Sequence, residues 1–271
     1  MYPDRILGPT AAANDLAAAL FQLEDISLQG LNRQAALLNR VDTKYLLPLP
    51  SLPPLLADCR DHYRVLQVGD HRLCRYETHY YDTPDLHYYH AHHAGHGCRL
   101  KVRRRRYVES DLHFLEVKHR TNKGRTDKPR IPLEGGEADP LGGLLHPAFS
   151  EVRPFFRPGM QEVVRIDYSR ITLARKSGAA ERITLDLHPL FAAEGTAVSM
   201  PSLVIAEVKQ DKARTSPFLQ LMKERRLRPG SLSKYCLGVA TLFDEVKKNQ
   251  FKSLITQLKK KTGYHVYTSG Y

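Results

Sequence analysis

The sequence predicts an α+β fold, an antiparallel β-barrel with flanking helices, and three observations carry that expectation. From Arg40 to Gln210 the chain breaks into short stretches in which polar and apolar residues alternate, the period of a strand. Many of the links between stretches are of hairpin length, which favours antiparallel neighbours. Helical spacing of apolar residues is concentrated at the two ends of the chain.

Residues 11–38 carry Ala, Leu and Gln at helical spacing, with Gly30 as the expected break between peripheral helices. Strands are expected over 40–48, 63–69, 72–82, 97–109, 111–121, 127–133, 162–175, 181–188 and 202–210. Pro53 and Pro54 open a short helix over 53–61, where a missing N–H does no harm. Gly135, Gly136, Pro140, Gly142 and Gly143 mark a loop that divides the strand set. Helices near 215–227 and 233–248 close the domain, and 259–271, Lys-rich and then polar, reads as a frayed end. The organisation expected is a helical segment, 1–38, packed on a barrel domain of 39–248, followed by a tail of 249–271.

A chain of 271 residues, 42% hydrophobic and 26% charged, can bury a core of ordinary size. Its charge is less ordinary: 41 Lys and Arg against 29 Asp and Glu leave +12, before any of 13 His is protonated. Such a surplus points to a polyanionic partner, whether nucleic acid, an acidic membrane face or a phosphate-rich small molecule. Cys59, Cys74, Cys98 and Cys236 are scattered with no CxxC pair, which fits reduced thiols and a cytoplasmic location. The apolar run from Leu16 to Leu23 is too short for a signal peptide or a transmembrane segment. Membrane association is therefore expected only through partners.

Within the expected strands the charges share one face. Arg99, Lys101, Arg103, Arg105 and Tyr107 alternate with Leu100 and Val102, although Arg104 and Arg106 interrupt the pattern. Glu116, Lys118 and Arg120 face away from Leu115 and Val117, and Arg40, Asp42 and Lys44 from Val41 and Tyr45. Tyr168 goes with Arg170, Arg182 with Thr184 and Asp186, and Glu207 with Lys209. A sandwich with its charged faces in water would alternate in the same way. Two features favour a barrel with the ionic faces inward. Solvated faces mix signs, whereas these are biased to Arg and Lys. Single acids, Glu116 and Glu207, also recur in a Glu-Val-Lys pattern. Such a lumen is tolerable only around a compensating polyanion and water. Phosphate suits it, because guanidinium forks match phosphate oxygens and lysine adds point charge.

The series Arg40-Val-Asp-Thr-Lys44-Tyr45, Tyr80-Tyr-Asp-Thr-Pro-Asp-Leu86 with Tyr89, His92 and Gly95, and Arg99 to Tyr107 continues through Leu115-Glu116-Val-Lys118 and Lys128-Pro-Arg130. It ends in Arg165 to Arg170, Arg182 to Asp186, Glu207-Val-Lys209 and Ser233-Lys234-Tyr235. In number and order these fragments resemble the VTC (vacuolar transporter chaperone) catalytic domain of the triphosphate tunnel metalloenzyme, or CYTH-like, superfamily. The resemblance implies a tunnel whose phosphate ligands are Lys44, Arg103, Arg105, Lys118, Lys128, Tyr168, Arg170, Arg182, Ser233 and Lys234. The catalytic set it implies is Lys44, Arg103, Arg105, Lys118, Arg170, Arg182 and Lys234. Glu207 is expected to hold a divalent metal, Mn²⁺ or Mg²⁺, with Glu116 as a second candidate for the metal or for ordering water. Lys101, Arg130 and Lys209 are further tunnel candidates.

The implied activity is that of a polyphosphate polymerase, with ATP, triphosphate and polyphosphate as partners. Related CYTH enzymes open with Glu-x-Glu-x-Lys; here only Asp42 and Lys44 stand in that stretch, which favours the VTC branch. The rivals are a metal-dependent triphosphatase and a non-catalytic sensor of polyphosphate or inositol polyphosphate. Histidines 87, 90, 92, 93 and 96 lack zinc spacing and are expected in hydrogen-bonded packing within a loop and strand. The run Arg103 to Arg106 mimics a nucleic-acid patch, but nearby aromatics are few and the chain has no Trp, so nucleic acid is not an expected partner. The stretch from Asp82 to Asp85 reads as a structural turn.

Overall fold

The computed structural model describes residues 11–34, 41–134, 140–261 and 265–268. Helix α1 (Ala11–Phe21), strand β1 (Asp25–Ser27) and helix α2 (Leu28–Gln34) lead into β2 (Val41–Pro48), α3 (Leu52–Cys59) and β3 (Tyr63–Gln67). Next come β4 (Cys74–Asp82), α4 (His87–His93), β5 (Arg99–Tyr107), β6 (Leu112–Arg120), β7 (Thr126–Asp127) and β8 (Arg130–Leu133). Strands β9 (Gln161–Arg175), β10 (Glu181–Ala193), β11 (Thr196–Ser199) and β12 (Leu203–Gln210) follow. Helices α5 (Pro217–Glu224), α6 (Lys234–Leu242) and α7 (Lys252–Lys261) and strand β13 (His265–Thr268) complete the described chain.

Strands β2, β12, β10, β9, β4, β5, β6 and β8 lie side by side in that order, each antiparallel to the next. The sheet curls but is not a closed barrel: among the described residues no ladder joins β2 to β8. Pro132 cannot donate to a further strand from β8, and at the β2 edge the Gly230 N–H donates to the Lys44 carbonyl at 2.9 Å.

Several local expectations are corrected. Gly30 lies inside α2; the helices are separated at β1 instead, which pairs in parallel with β3. The histidine stretch forms α4, because the buried Asp82 carboxylate accepts the N–H groups of Tyr88 and Tyr89, both at 2.9 Å, and so caps the turn. β10 runs on to Ala193 past a register shift at His188 and Pro189, where proline has no ladder donor. The last expected helix stops at Leu242, and Phe251 and Leu258 of the following segment are buried in the core. β13 pairs with β11 where fraying was expected. Arg40, Gly135, Gly136 and residues 35–38, 262–264 and 269–271 lie outside the described residues.

The two faces of the sheet are buried differently. On the convex side α1, α3 and α5 cover Ile171, Leu173, Ile183, Leu185, Ala206 and Val208. Val102, Leu115 and Val117 on that side are covered by Leu144, Phe149 and Val152. On the concave side α6 packs against Val164, Ile166 and Phe191. Gly238 permits this approach, since a Cβ there would stand 2.9 Å from Val164 and 3.0 Å from Phe191. The rest of the concave side is ionic.

Candidate functional site

The concave side encloses a cavity of about 580 Å³, and every residue nominated from the sequence lines it. Lys44 comes from β2, Arg103 and Arg105 from β5, Glu116 and Lys118 from β6, Tyr168 and Arg170 from β9. Arg182 comes from β10, Glu207 from β12, Lys128 from the β7–β8 link, and Ser233 and Lys234 from the start of α6. Lys101, Arg130 and Lys209 join them. The cause is the strand period: alternate residues of each strand point to the same side, and the curl makes those sides converge.

One zone pairs each guanidinium with a carboxylate. Arg103 opposes Glu116 in register and donates to its Oε2 through Nε at 2.7 Å and Nη2 at 2.6 Å. Nη1 of Arg103 donates to the Tyr80 hydroxyl at 3.1 Å. Buried Arg105 lies 3.6 Å from the same carboxylate and donates to Thr78 Oγ1 at 3.3 Å. Across the cavity Arg170 makes a fork to Asp186, with Nε at 2.5 Å and Nη2 at 2.9 Å, and the Lys234 ammonium closes on the same carboxylate. Burial would raise the Glu116 carboxyl, but Arg103 and Arg105 outweigh it and hold the pKa at about 2. Asp186 is likewise held below the carboxylate range, burial being outweighed by Arg170 and Lys234.

A second zone sets ammonium against ammonium. Lys101 and Lys118 are direct cross-strand partners on β5 and β6. Lys101 donates to Ser233 Oγ at 2.7 Å, and that oxygen also accepts the Cys236 N–H at 3.3 Å to cap α6. Burial, then Lys128 and Lys101, bring Lys118 down to about 7. Glu207 sits between Lys44 at 3.2 Å and Lys209 at 3.0 Å, which together with Lys234 drive its carboxyl well below the usual range against burial.

The donor set fits a divalent cation at Glu207 only if a phosphate ligand completes the shell. Among the described residues no group of three or more His, Cys, Asp or Glu is placed to hold an ion. Magnesium is commonly held by one or two carboxylates together with substrate phosphates and water. The partners of Glu207 are the Lys44 and Lys209 ammonium groups, whose several N–H donors can also serve phosphate oxygens. Glu116 is engaged by two guanidinium groups.

Asp186 pairs Arg170 and Lys234, a role the sequence leaves unassigned although Asp186 stands in the Arg182 to Asp186 fragment. It was also the only acid on that ionic face, which was the available signal. The aromatic wall was missed as well: Tyr76 stacks on Tyr168 at 5.3 Å and leans on Tyr107 at 4.9 Å, with the Arg170 guanidinium over its ring.

The curled antiparallel sheet with its cationic concave side is the architecture of the triphosphate tunnel fold. The VTC domain family model matches residues 39–243, and the chain belongs to that family. No curated protein matches it. Similar solved structures include a Hippeastrum protein named as an adenylyl cyclase with a dominant triphosphatase activity. It is 16% identical, with a TM-score of 0.46 over 74% of this chain and 96% of that one. Another is a Vibrio parahaemolyticus protein named as an adenylate cyclase, 16% identical, TM-score 0.42, covering 73% of this chain and 97% of that one. A third, from Pyrococcus horikoshii, is 14% identical with a TM-score of 0.43 over 74% and 99% of the two chains. No helix among the described residues is long and apolar enough to cross a membrane.

Proposed function

We propose that this protein is an ATP-dependent polyphosphate polymerase-like phosphotransferase. An oxygen of a phosphate or polyphosphate acceptor attacks the γ-phosphorus of ATP, the bond to the β–γ bridging oxygen breaks, and ADP leaves. Arg103, Arg105, Arg170 and Lys234 bind and orient the phosphate oxygens, and Lys44, Lys118, Lys128 and Arg182 neutralise the remaining charge. Phosphoryl transfer asks for little else from a protein. When bound at Glu207, Mn²⁺ or Mg²⁺ supplies charge neutralisation on the phosphate oxygens.

The observation that carries this reading over hydrolysis is the engagement of both lumen carboxylates nominated for metal or water. Glu116 is taken up by Arg103 and Arg105, and Glu207 by Lys44 and Lys209. Activating water calls for a base within reach of its proton and with a pKa near the working pH, and carboxylates clasped by cations are poor bases. A phosphate acceptor is already anionic and needs no base. A cytoplasmic location fits four free cysteines. The test is incubation of the full chain with ATP and Mn²⁺ or Mg²⁺, resolving the products by length. Long phosphate chains with ADP are expected. Free phosphate as the sole phosphate product would make it a triphosphatase, and tight binding without turnover a sensor.

A further inference from the structure

One end of the lumen adds aromatic and aliphatic groups to its charged lining. At the end of β5, Tyr107 opposes Leu112, and Phe114 opposes Arg105 two residues further in. The Tyr107 and Phe114 rings meet edge to face at 5.7 Å, and the Arg130 guanidinium lies 4.7 Å over Phe114. Leu28, Leu31 and Asn32 of α2 line the same cavity, and Leu28 and Leu112 are 47% and 48% exposed. Phosphate oxygens gain nothing from aromatic faces and isobutyl groups at a mouth. A flat, partly apolar group does, because rings and guanidinium planes are stacking platforms for nucleobases.

We propose that this end is a nucleoside vestibule, in which the base lies against Tyr107 and Phe114 and the triphosphate runs inward. The inference rests on the phosphotransfer reading and deepens it by giving the nucleotide a direction. Four residues of strand, about 13 Å, separate Tyr107 from Arg103, which leaves room for base and ribose before the phosphates reach the guanidinium zone. The γ-phosphate then lies deepest, toward Lys101 and Lys118, and the acceptor chain approaches from the Ser233 side. Stacking tolerates any base, since each has a π-face, so purines should be favoured over pyrimidines by area without a strict readout.

The test is titration of the full chain with ATP and, separately, with inorganic tripolyphosphate, in wild type and in Tyr107→Ala and Phe114→Ala. The variants should lose about 10-fold or more in ATP affinity and less than about twofold in tripolyphosphate affinity. Retained tripolyphosphate binding also reports an intact fold; Tyr107→Leu and Phe114→Leu, which keep bulk and remove the ring, serve if the alanine variants unfold. Unchanged ATP affinity, or equal loss of both ligands, would overturn the vestibule while leaving the phosphate site standing. A wild-type chain that binds neither ligand would sink the underlying reading itself.

Discussion

The two zones of the lumen carry the same sign of charge and hold it in opposite ways. Around Arg103, Arg105 and Arg170 every guanidinium lies against a carboxylate, Glu116 or Asp186. Around Lys101 and Lys118 ammonium faces ammonium in register. The chemistry of the two side chains explains the split. Arginine keeps its proton wherever it is buried and so must be paired, whereas lysine can lose its proton, as Lys118 does near pH 7. The arginine zone is therefore pre-organised and part of the fold. The lysine zone holds repulsion that a polyanion relieves.

The largest effect that would break this contrast lies at Asp186, 1% exposed. Asp186→Ala strands Arg170 and Lys234, and the empty protein should lose about 3–5 kcal/mol of stability, the usual result of orphaning buried charges. Denaturant unfolding would read it, and tripolyphosphate should restore part of the loss by taking over both cations. Next comes ligand binding: Arg103→Ala should weaken tripolyphosphate by about 1.5–3 kcal/mol in calorimetry, the range for charge-assisted bonds. Glu207→Gln should abolish metal-dependent turnover and leave metal-independent tripolyphosphate binding largely intact; full activity in that variant would move the metal elsewhere.

The smallest effect has the opposite sign. Lys118→Met should stabilise the empty protein, by on the order of 1 kcal/mol, while weakening tripolyphosphate. Its pH dependence sharpens the point. Lys118 titrates at about 7 when folded against an ordinary 10.5, so the unfolded chain binds more protons between those values. Its contribution to stability must then rise with pH across that window. Unfolding at pH 7 and pH 9 should show the gain in wild type, and Lys118→Met should diminish it.

The lining was legible because a strand has a period of two. Arg103, Glu116 and Glu207 could be assigned to one face with no knowledge of their neighbours. What each touches was not legible, since it depends on register between distant strands: Asp186 meets Arg170 only through the β9–β10 ladder, and Lys234 only because α6 enters the concave side. Tyr107 adjoins the run Arg103 to Arg106, but Tyr76 and Tyr168 are distant in sequence and join it in a wall only in the folded sheet. The histidine helix escaped notice because its cap, Asp82, lies six and seven residues from the N–H groups it accepts. Closure is not encoded in alternation, which sets the faces of each strand but not whether the first and last strands pair.

Thermal unfolding distinguishes an interior phosphate site from a basic outer surface. Melting midpoints would be measured with tripolyphosphate and with a duplex DNA oligomer, at low and at physiological salt. A ligand that binds only the folded state raises the midpoint by mass action. Tripolyphosphate should do so markedly at both salt levels, because it relieves the repulsion around Lys101 and Lys118. Duplex DNA is too wide to enter and should give a shift that collapses as salt is added. If DNA stabilises the protein as well as tripolyphosphate does at physiological salt, the basic face is an outer surface and not a phosphate tunnel.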